Sequence, residues 1–270
     1  MKKECICIYT HDYPGSDKKN VKVEAKAEAK AKVKVKKKDD FNFSAFLKSS
    51  WWKILGILIL VYVIIGGLLF PVPEIPVIRE TIRNIYFHVG MWFAMIFILF
   101  LGMINSIIFL RTGKRKNDQK ALAMAYSGLL FGFLGLITGM IWANNTWGAF
   151  WLNDPKLNGA AIGVLVYLAY LVLRSSIDDS DKRARLAAVY NVFAFVMFFI
   201  FIMVIPRMSA SSIHPGIDGN PALATGDLDA SMRKVFWPAV LGWIIFSYWI
   251  AEIFYKTKNI QSRIEDIEME

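Results

Sequence analysis

The chain has 270 residues, with 32 Lys and Arg against 22 Asp and Glu, and a formal net charge of +10. Hydrophobic residues still make up 56% of it. A soluble domain of this length cannot bury so much apolar surface, so charged and apolar residues must occupy separate segments. Two Cys residues exclude a disulfide scaffold, and three His residues leave room for very little His-based metal chemistry.

The N-terminal segment, residues 1–45, is predicted to be a disordered, Lys-rich cytoplasmic tail. Its first 40 residues hold 12 basic and 7 acidic residues, and the stretch 21–38 alternates Val or Ala with Lys or Glu. Such a stretch has nothing to pack into a core, and no apolar region of a cleavable signal peptide precedes residue 51. We interpret the tail as a solvated segment that contacts membrane lipid, with no nucleic-acid partner.

Six apolar runs long enough to cross about 30 Å of hydrocarbon follow the tail. They lie at residues 52–72, 86–110, 121–143, 158–174, 186–206 and 236–255. A backbone in lipid must satisfy its own hydrogen bonds, and these lengths suit helices rather than barrel strands. The sequence therefore predicts an all-α membrane protein with six transmembrane helices in a domain of residues 46–258, followed by a cytoplasmic C-terminal tail at 259–270.

The distribution of Lys and Arg predicts the orientation of the spans. The tail together with Lys48 and Lys53, the 111–120 and 174–185 loops and the C-terminal end carry 26 of these residues, whereas the loops on the other side carry 6. Because cytoplasmic loops are enriched in Lys and Arg, both termini are expected in the cytoplasm and the loops 73–85, 144–157 and 207–235 outside.

The third span carries a row of small residues. Gly128, Gly132, Gly135 and Gly139 fall on one helix face. Small residues allow neighbouring helix backbones to approach closely, so this row predicts a packing face.

Two histidines are predicted to lie at the outer end of the bundle. His88 lies about one turn inside the second span, and His214 follows Pro206 by eight residues in the last outer loop. Eight extended residues can reach about 26 Å, so His214 can fold over the bundle towards His88. A single His in a span is often a hydrogen-bonded structural residue, but an ionisable residue there is also a functional candidate. The pair fits either two structural residues or one shared site.

The loop after the third span is dense in aromatic residues. The region includes Trp142, Trp147, Phe150 and Trp151, with Asp154 and Lys156 beside them. One interpretation is an interfacial aromatic belt. The other is a surface for a large planar ligand that bears carboxylates. Haem fits the second interpretation, because imidazoles can bind the iron, aromatic rings can face the porphyrin, and Arg or Lys can bind the propionates.

Three segments carry a resemblance to a known family. The first is residues 83–89 (RNIYFHV). The second consists of residues 136–142 (LITGMIW) together with residues 147–157 (WGAFWLNDPKL), and the third is residues 214–216 (HPG). They resemble the two haem-ligand segments and the tryptophan-rich WWD loop of the CcmC family, the haem-handling membrane proteins of system I cytochrome c maturation. The resemblance covers about residues 75–255. Phe150 and Asn153 stand where the motif has Trp, and Lys156 stands where it has Arg.

The resemblance implies a role for each candidate site residue. His88 and His214 would be the axial ligands of one haem b, and Asp154 would order the loop. Rings facing the porphyrin would come from Trp142, Trp147 and Trp151, and cations for the propionates would come from Arg83 and Lys156.

The resemblance also implies a function and partners. Family members hold haem at the periplasmic face of the bacterial inner membrane and present it to a haem chaperone of the CcmE type. An ABC transporter pair of the CcmA and CcmB types then releases the adduct, with a small CcmD-type helper. The resemblance thus implies a haem-presenting component rather than an enzyme. The chain has no stretch like a Walker A loop, so ATP hydrolysis would belong to a partner.

Other functions stay open at this stage. A membrane b-type cytochrome would usually need haem sites towards both faces, whereas no His lies in the inner half of any predicted span. A cofactor-free scaffold subunit would use the Trp loop only as a belt and docking surface. The system II synthetase subunit is typically larger or has more spans.

Overall fold

Long apolar helices make up nearly all of the part of the chain that the structure describes. The structure, a computed structural model, describes residues 43–74, 76–208, 212–214 and 228–268. In chain order the elements are α1 (Phe43–Leu69), a 3-10 helix (Arg79–Asn84), α2 (Ile85–Thr112), α3 (Arg115–Trp147), α4 (Pro155–Ser175), α5 (Ser180–Phe199), a π-helical segment (Ile200–Val204), α6 (Ile205–Met208) and α7 (Ala230–Glu268). None of these described residues forms a strand.

Six helical segments are long and apolar enough to cross a membrane, which confirms the predicted all-α protein with six spans. Several helices are longer than their predicted spans. Helix α7 runs from Ala230 to Glu268, although the sequence predicts a span at 236–255, because hydropathy detects only the part of a helix that lies in lipid. The helix therefore continues into the predicted C-terminal tail. Most of the predicted N-terminal tail, residues 1–42, lies outside the described residues.

Local sequence explains where the helices begin and end. Helix α1 ends just before Pro71, which cannot continue a helix. Helices α2 and α3 end at Gly113 and Gly148, which adopt φ values of +67° and +79° that glycine accommodates without strain. Helix α4 begins after Asp154, whose carboxylate accepts a hydrogen bond from the backbone N–H of Lys156 and so caps the helix. Gly148 and Asp154 thus bound the aromatic loop.

The glycine row of α3 packs against α2, as predicted. A Cβ atom at Gly128, Gly132, Gly135 or Gly139 would lie within 3.0 Å of Leu99, Met95, Trp92 or His88, respectively. The two helices are antiparallel, since the residue numbers on α2 fall as those on α3 rise. Only hydrogen at these Cα atoms permits so close an approach.

The loops rich in Lys and Arg meet at one end of the bundle. Arg115, at the start of α3, donates a hydrogen bond to the carbonyl of Ser180 over 2.6 Å. Lys53 on α1 lies 2.8 Å from Glu252 on α7. His88 and the aromatic loop lie at the opposite end, because α2 begins there and α3 ends there.

Candidate functional site

His88 is fixed in position by helix α3. Its side chain is buried, and its Nδ1 lies 2.9 Å from the carbonyl oxygen of Gly135 and 3.2 Å from the hydroxyl of Thr138. A carbonyl can only accept a hydrogen bond, so Nδ1 carries the proton in this arrangement. The Nε2 atom then presents a lone pair, which is the form of imidazole that binds a metal.

Aromatic rings and a glycine surround the same imidazole. A Cβ at Gly139 would lie 2.6 Å from the Cε1 atom of His88, so the ring rests directly on the helix backbone. The rings of Trp92 and Trp142 stand edge-on to it, with ring centres 6.4 Å and 5.9 Å away. Trp142 also donates a hydrogen bond from its indole N–H to the hydroxyl of Thr81 over 3.1 Å. The imidazole therefore has little freedom to rotate.

Asp154 ties the aromatic loop to the segment that carries His214. Its carboxylate, only 2% exposed, accepts hydrogen bonds from the backbone N–H of Ile213 over 2.9 Å and from the hydroxyl of Ser212 over 3.0 Å. It also caps α4 through the N–H of Lys156 over 2.8 Å. Burial raises the pKa of Asp154, but these hydrogen bonds and the nearby His214 outweigh it and lower the pKa overall. The carboxylate is therefore ionised at neutral pH and holds both segments.

The imidazole of His214 lies between the aromatic loop and His88. Its ring centre is 5.8 Å from that of Trp147 and 6.4 Å from that of His88. Burial, followed by the positive charge of Lys156, lowers the pKa of His214 to about 3, and Asp154 opposes this only in part. The ring is thus neutral at physiological pH. Its Nδ1 is buried and has no hydrogen-bond partner among the described residues, as expected of a nitrogen that awaits a ligand.

The spacing of the two imidazoles fits two ligands on one metal ion. A bond of about 2 Å from a metal to an imidazole nitrogen, plus about 1 Å from that nitrogen to its ring centre, puts two opposed rings about 6 Å apart. The observed separation between the ring centres of His88 and His214 is 6.4 Å. Two neutral imidazoles supply only two ligands, which suits an iron whose other positions are filled by a porphyrin.

A cleft of about 130 Å³ opens beside the two imidazoles. Its walls include His88, His214, Trp151, Lys156, Arg207 and, from the π-helical segment, Ile202 and Met203. Trp151 is 41% exposed and donates a hydrogen bond from its indole N–H to Asn158 over 3.3 Å. The structure therefore brings most of the predicted site residues together at this cleft or in contact with its imidazoles.

Arg83 is the one predicted site residue that the structure places elsewhere. Its guanidinium donates hydrogen bonds to the carbonyls of Phe70 and Gly67, over 2.6 Å and 3.0 Å, and pairs with Glu80 at 2.6 Å. These carbonyls lie at the C-terminal end of α1, where helix acceptors lack partners. Arg83 thus fastens the 3-10 helix to α1, and the cation that lines the cleft besides Lys156 is Arg207.

Several residues of the site do not stand out in the sequence. Gly135 and Thr138 hold the imidazole of His88, Gly139 makes room for it, and Ser212 links Asp154 to the His214 segment. The glycine row was a visible pattern, but its period indicates packing and says nothing about which side chain rests on it. Arg207 was also visible, as the basic residue at the outer end of the fifth span.

Comparison with known proteins identifies the family. Residues 34–267 match the sequence profile of the family described as heme exporter protein C. The heme exporter protein C of Rhodobacter capsulatus is 29% identical over 185 residues, covering 67% of this chain and 74% of that protein. The same-named protein of Bradyrhizobium diazoefficiens is 34% identical over 116 residues, covering 42% and 43%. A cytochrome c biogenesis protein CcsA of Prochlorococcus marinus is 40% identical over 81 residues, covering 28% and 26%.

The profile match extends the region of resemblance from about 75–255 to 34–267, which is most of the chain. It confirms the resemblance that the histidine segments and the aromatic loop carry. The chain belongs to the heme exporter protein C family.

Proposed function

We propose that this chain binds haem b between His88 and His214 and presents it to a haem chaperone of the CcmE type during cytochrome c maturation. The names of its relatives, heme exporter protein C and cytochrome c biogenesis protein CcsA, support a role in haem handling. One observation carries the proposal. The imidazoles of His88 and His214 lie with their ring centres 6.4 Å apart, and His214 has a buried nitrogen without a hydrogen-bond partner among the described residues.

Each residue around the cleft has a part in this proposal. His88 and His214 hold the iron, and Trp142, Trp147 and Trp151 offer ring faces and edges to the porphyrin or to the incoming chaperone. Lys156, with Arg207 as a second cation at the cleft, attracts the propionates, because charge-assisted hydrogen bonds to carboxylates are the strong ones. Haem, when bound, would supply the iron centre that these two imidazoles would hold.

The proposed site lies at the periplasmic face of the bacterial inner membrane. Its support is the 26-to-6 distribution of Lys and Arg, which favours the cytoplasm for the end opposite the cleft. The chain acts as a handling component rather than an enzyme. ATP hydrolysis is assigned to partner subunits of the CcmA and CcmB types, and a CcmD-type helper completes the assembly.

Haem titration of the purified full-length chain in detergent tests the proposal. The wild type should give the absorption spectrum of six-coordinate, low-spin iron. The H88A/H214A double variant should lose that spectrum and bind haem more than about 100-fold more weakly, since loss of outer partners alone costs 10- to 100-fold at metal sites.

The third histidine supplies a matched control. H11A removes an imidazole from the N-terminal tail, and should leave the spectrum and the affinity unchanged. An unaltered low-spin spectrum in the double variant would remove this pair as ligands. A wild-type chain that binds no haem would refute the proposed function itself.

A further inference from the structure

A second cleft lies at the end of the bundle opposite the histidines. It has a volume of about 360 Å³ and is formed by side chains of α1, α3 and α7. Its lining includes Lys116, Lys120, Lys256, Trp52, Tyr248 and Tyr255. Three ammonium groups and three aromatic rings thus meet at one place, and the haem proposal uses none of them.

The cleft carries an excess of positive charge. Its carboxylate, that of Glu252, already contacts Lys53 at 2.8 Å and Lys256 at 2.5 Å. Lys116 and Lys120 form no ion pair with any residue that the structure describes. They stand four residues apart near the start of α3, so they project from the same face of the helix. An anion seated between them would meet two uncompensated cations.

The remaining walls of the cleft suit the boundary between hydrocarbon and water. The ring of Trp52 stands edge-on to that of Tyr248, with centres 5.8 Å apart. Trp and Tyr concentrate at the level of lipid headgroups because their rings are partly apolar and partly polar. On α1 next to the cleft, Trp51 and Leu55 are 61% and 42% exposed, an apolar surface along which acyl chains can lie.

We propose that this cleft binds the phosphate headgroup of an anionic phospholipid. Basic pockets between membrane helices bind such headgroups through lysine charges, and adjacent aromatic and apolar surface accommodates the rest of the lipid. A soluble phosphate compound would engage Lys116 and Lys120 but would leave the aromatic and apolar walls unused. The site is built by the membrane helices themselves, and is separate from any contact between the N-terminal tail and lipid.

Lipid binding to the full chain in detergent micelles tests the proposal. Native mass spectrometry would count retained phosphatidylglycerol, with phosphatidylcholine as the zwitterionic comparison and inorganic phosphate as the soluble competitor. Each lysine near a lipid surface contributes about fivefold in affinity, so K116Q/K120Q should bind phosphatidylglycerol about 30-fold more weakly. K116R/K120R, which keeps both charges, should bind like the wild type.

The double variant K114Q/K182Q is the matched control, because it removes two exposed lysines at the same end that do not line the cleft. It should bind phosphatidylglycerol within about twofold of the wild type, since neither lysine lines the cleft and exposed charges are screened by salt. Unchanged binding in K116Q/K120Q, or an equal loss in K114Q/K182Q, would overturn the proposal. If inorganic phosphate competes as effectively as phosphatidylglycerol, the cleft binds a soluble anion, and the proposal of a lipid ligand is wrong.

Discussion

The two histidines of the candidate site are held in different ways. His88 belongs to a long helix, hydrogen-bonds the backbone of α3 and rests on Gly139. His214 lies in the loop between α6 and α7, where the neighbouring Ser212 and Ile213 hydrogen-bond to Asp154. Only the second imidazole has a buried nitrogen without a partner among the described residues. In the proposed haem complex, this difference would allow His214 to be exchanged while His88 stays bound to the iron.

The energetic basis of this asymmetry is conformational entropy. Ordering one residue costs about 1–2 kcal/mol. For His88 that cost is borne when the helices pack, so the imidazole is already placed before a ligand arrives. Within the described residues, the His214 segment is held by hydrogen bonds of Ser212 and Ile213 to the carboxylate of Asp154. In the proposed haem complex, we therefore expect a partner that competes for the iron to displace His214 rather than His88.

The single-histidine variants should show this asymmetry between His88 and His214 most strongly. H88A should weaken haem binding by more than about 100-fold, and H214A by about 10- to 100-fold, because the helix-borne ligand is the preorganised one. Added imidazole should partly restore the six-coordinate spectrum in both variants. Haem titration monitored by absorption measures both effects. Equal losses in H88A and H214A would show that the two ligands are equivalent.

The sequence predicted the six spans because hydropathy is a property of each segment alone. Boundaries were less accurate where a helix leaves the lipid, as at Glu268, or where it changes type, as at the π-helical segment Ile200–Val204. That segment has the same apolar composition as the α-helix before it, so no local pattern distinguishes them.

Site residues were predictable where a rare residue type coincided with a motif. His88, His214 and Asp154 stood out in this way, and the structure brings them together. Arg83 did not follow the expectation, because its partners are carbonyls of α1 whose positions depend on tertiary packing. For the same reason the sequence could not tell that Gly139 faces a histidine rather than another apolar side chain.

A substitution at Asp154 should weaken the hydrogen bonds that hold the His214 segment without affecting His88. Asn in place of Asp154 would keep the size, but an amide has one acceptor oxygen, whereas both carboxylate oxygens accept hydrogen bonds here. D154N should therefore weaken haem binding about tenfold, in the range of outer partners of metal ligands. The variant should resemble a mild H214A and leave the surroundings of His88 intact.

A second helix cap supplies the control for D154N. Asp179 caps α5 by accepting hydrogen bonds from two backbone N–H groups, at the end of the bundle away from the cleft. D179N should change stability little, because Asn caps a helix about as well as Asp, and it should not change haem affinity. Thermal unfolding and haem titration of both variants separate the two effects. If D154N bound haem as tightly as the wild type, the carboxylate would be only a helix cap.

A substitution at Gly139 should instead disturb the position of the His88 imidazole. Ala at this position would put a methyl group 2.6 Å from the Cε1 atom of His88, so the imidazole has to tilt and its hydrogen bond to the carbonyl of Gly135 is strained. G139A should lower haem affinity only a few-fold, because a side chain moves more easily than a backbone, and overpacking should cost about 1–3 kcal/mol of stability. The absorption spectrum should change clearly even though the affinity changes little, since the ligand orientation changes while the ligand remains.

G128A is the matched control, because its methyl group would meet Leu99 on the same helix face but three turns from the site. It should destabilise the protein to a similar degree and leave the haem spectrum unchanged. The same spectral shift in both variants would mean that the glycine row affects haem only through global packing, and His88 would lose its distinction as the ligand positioned by α3.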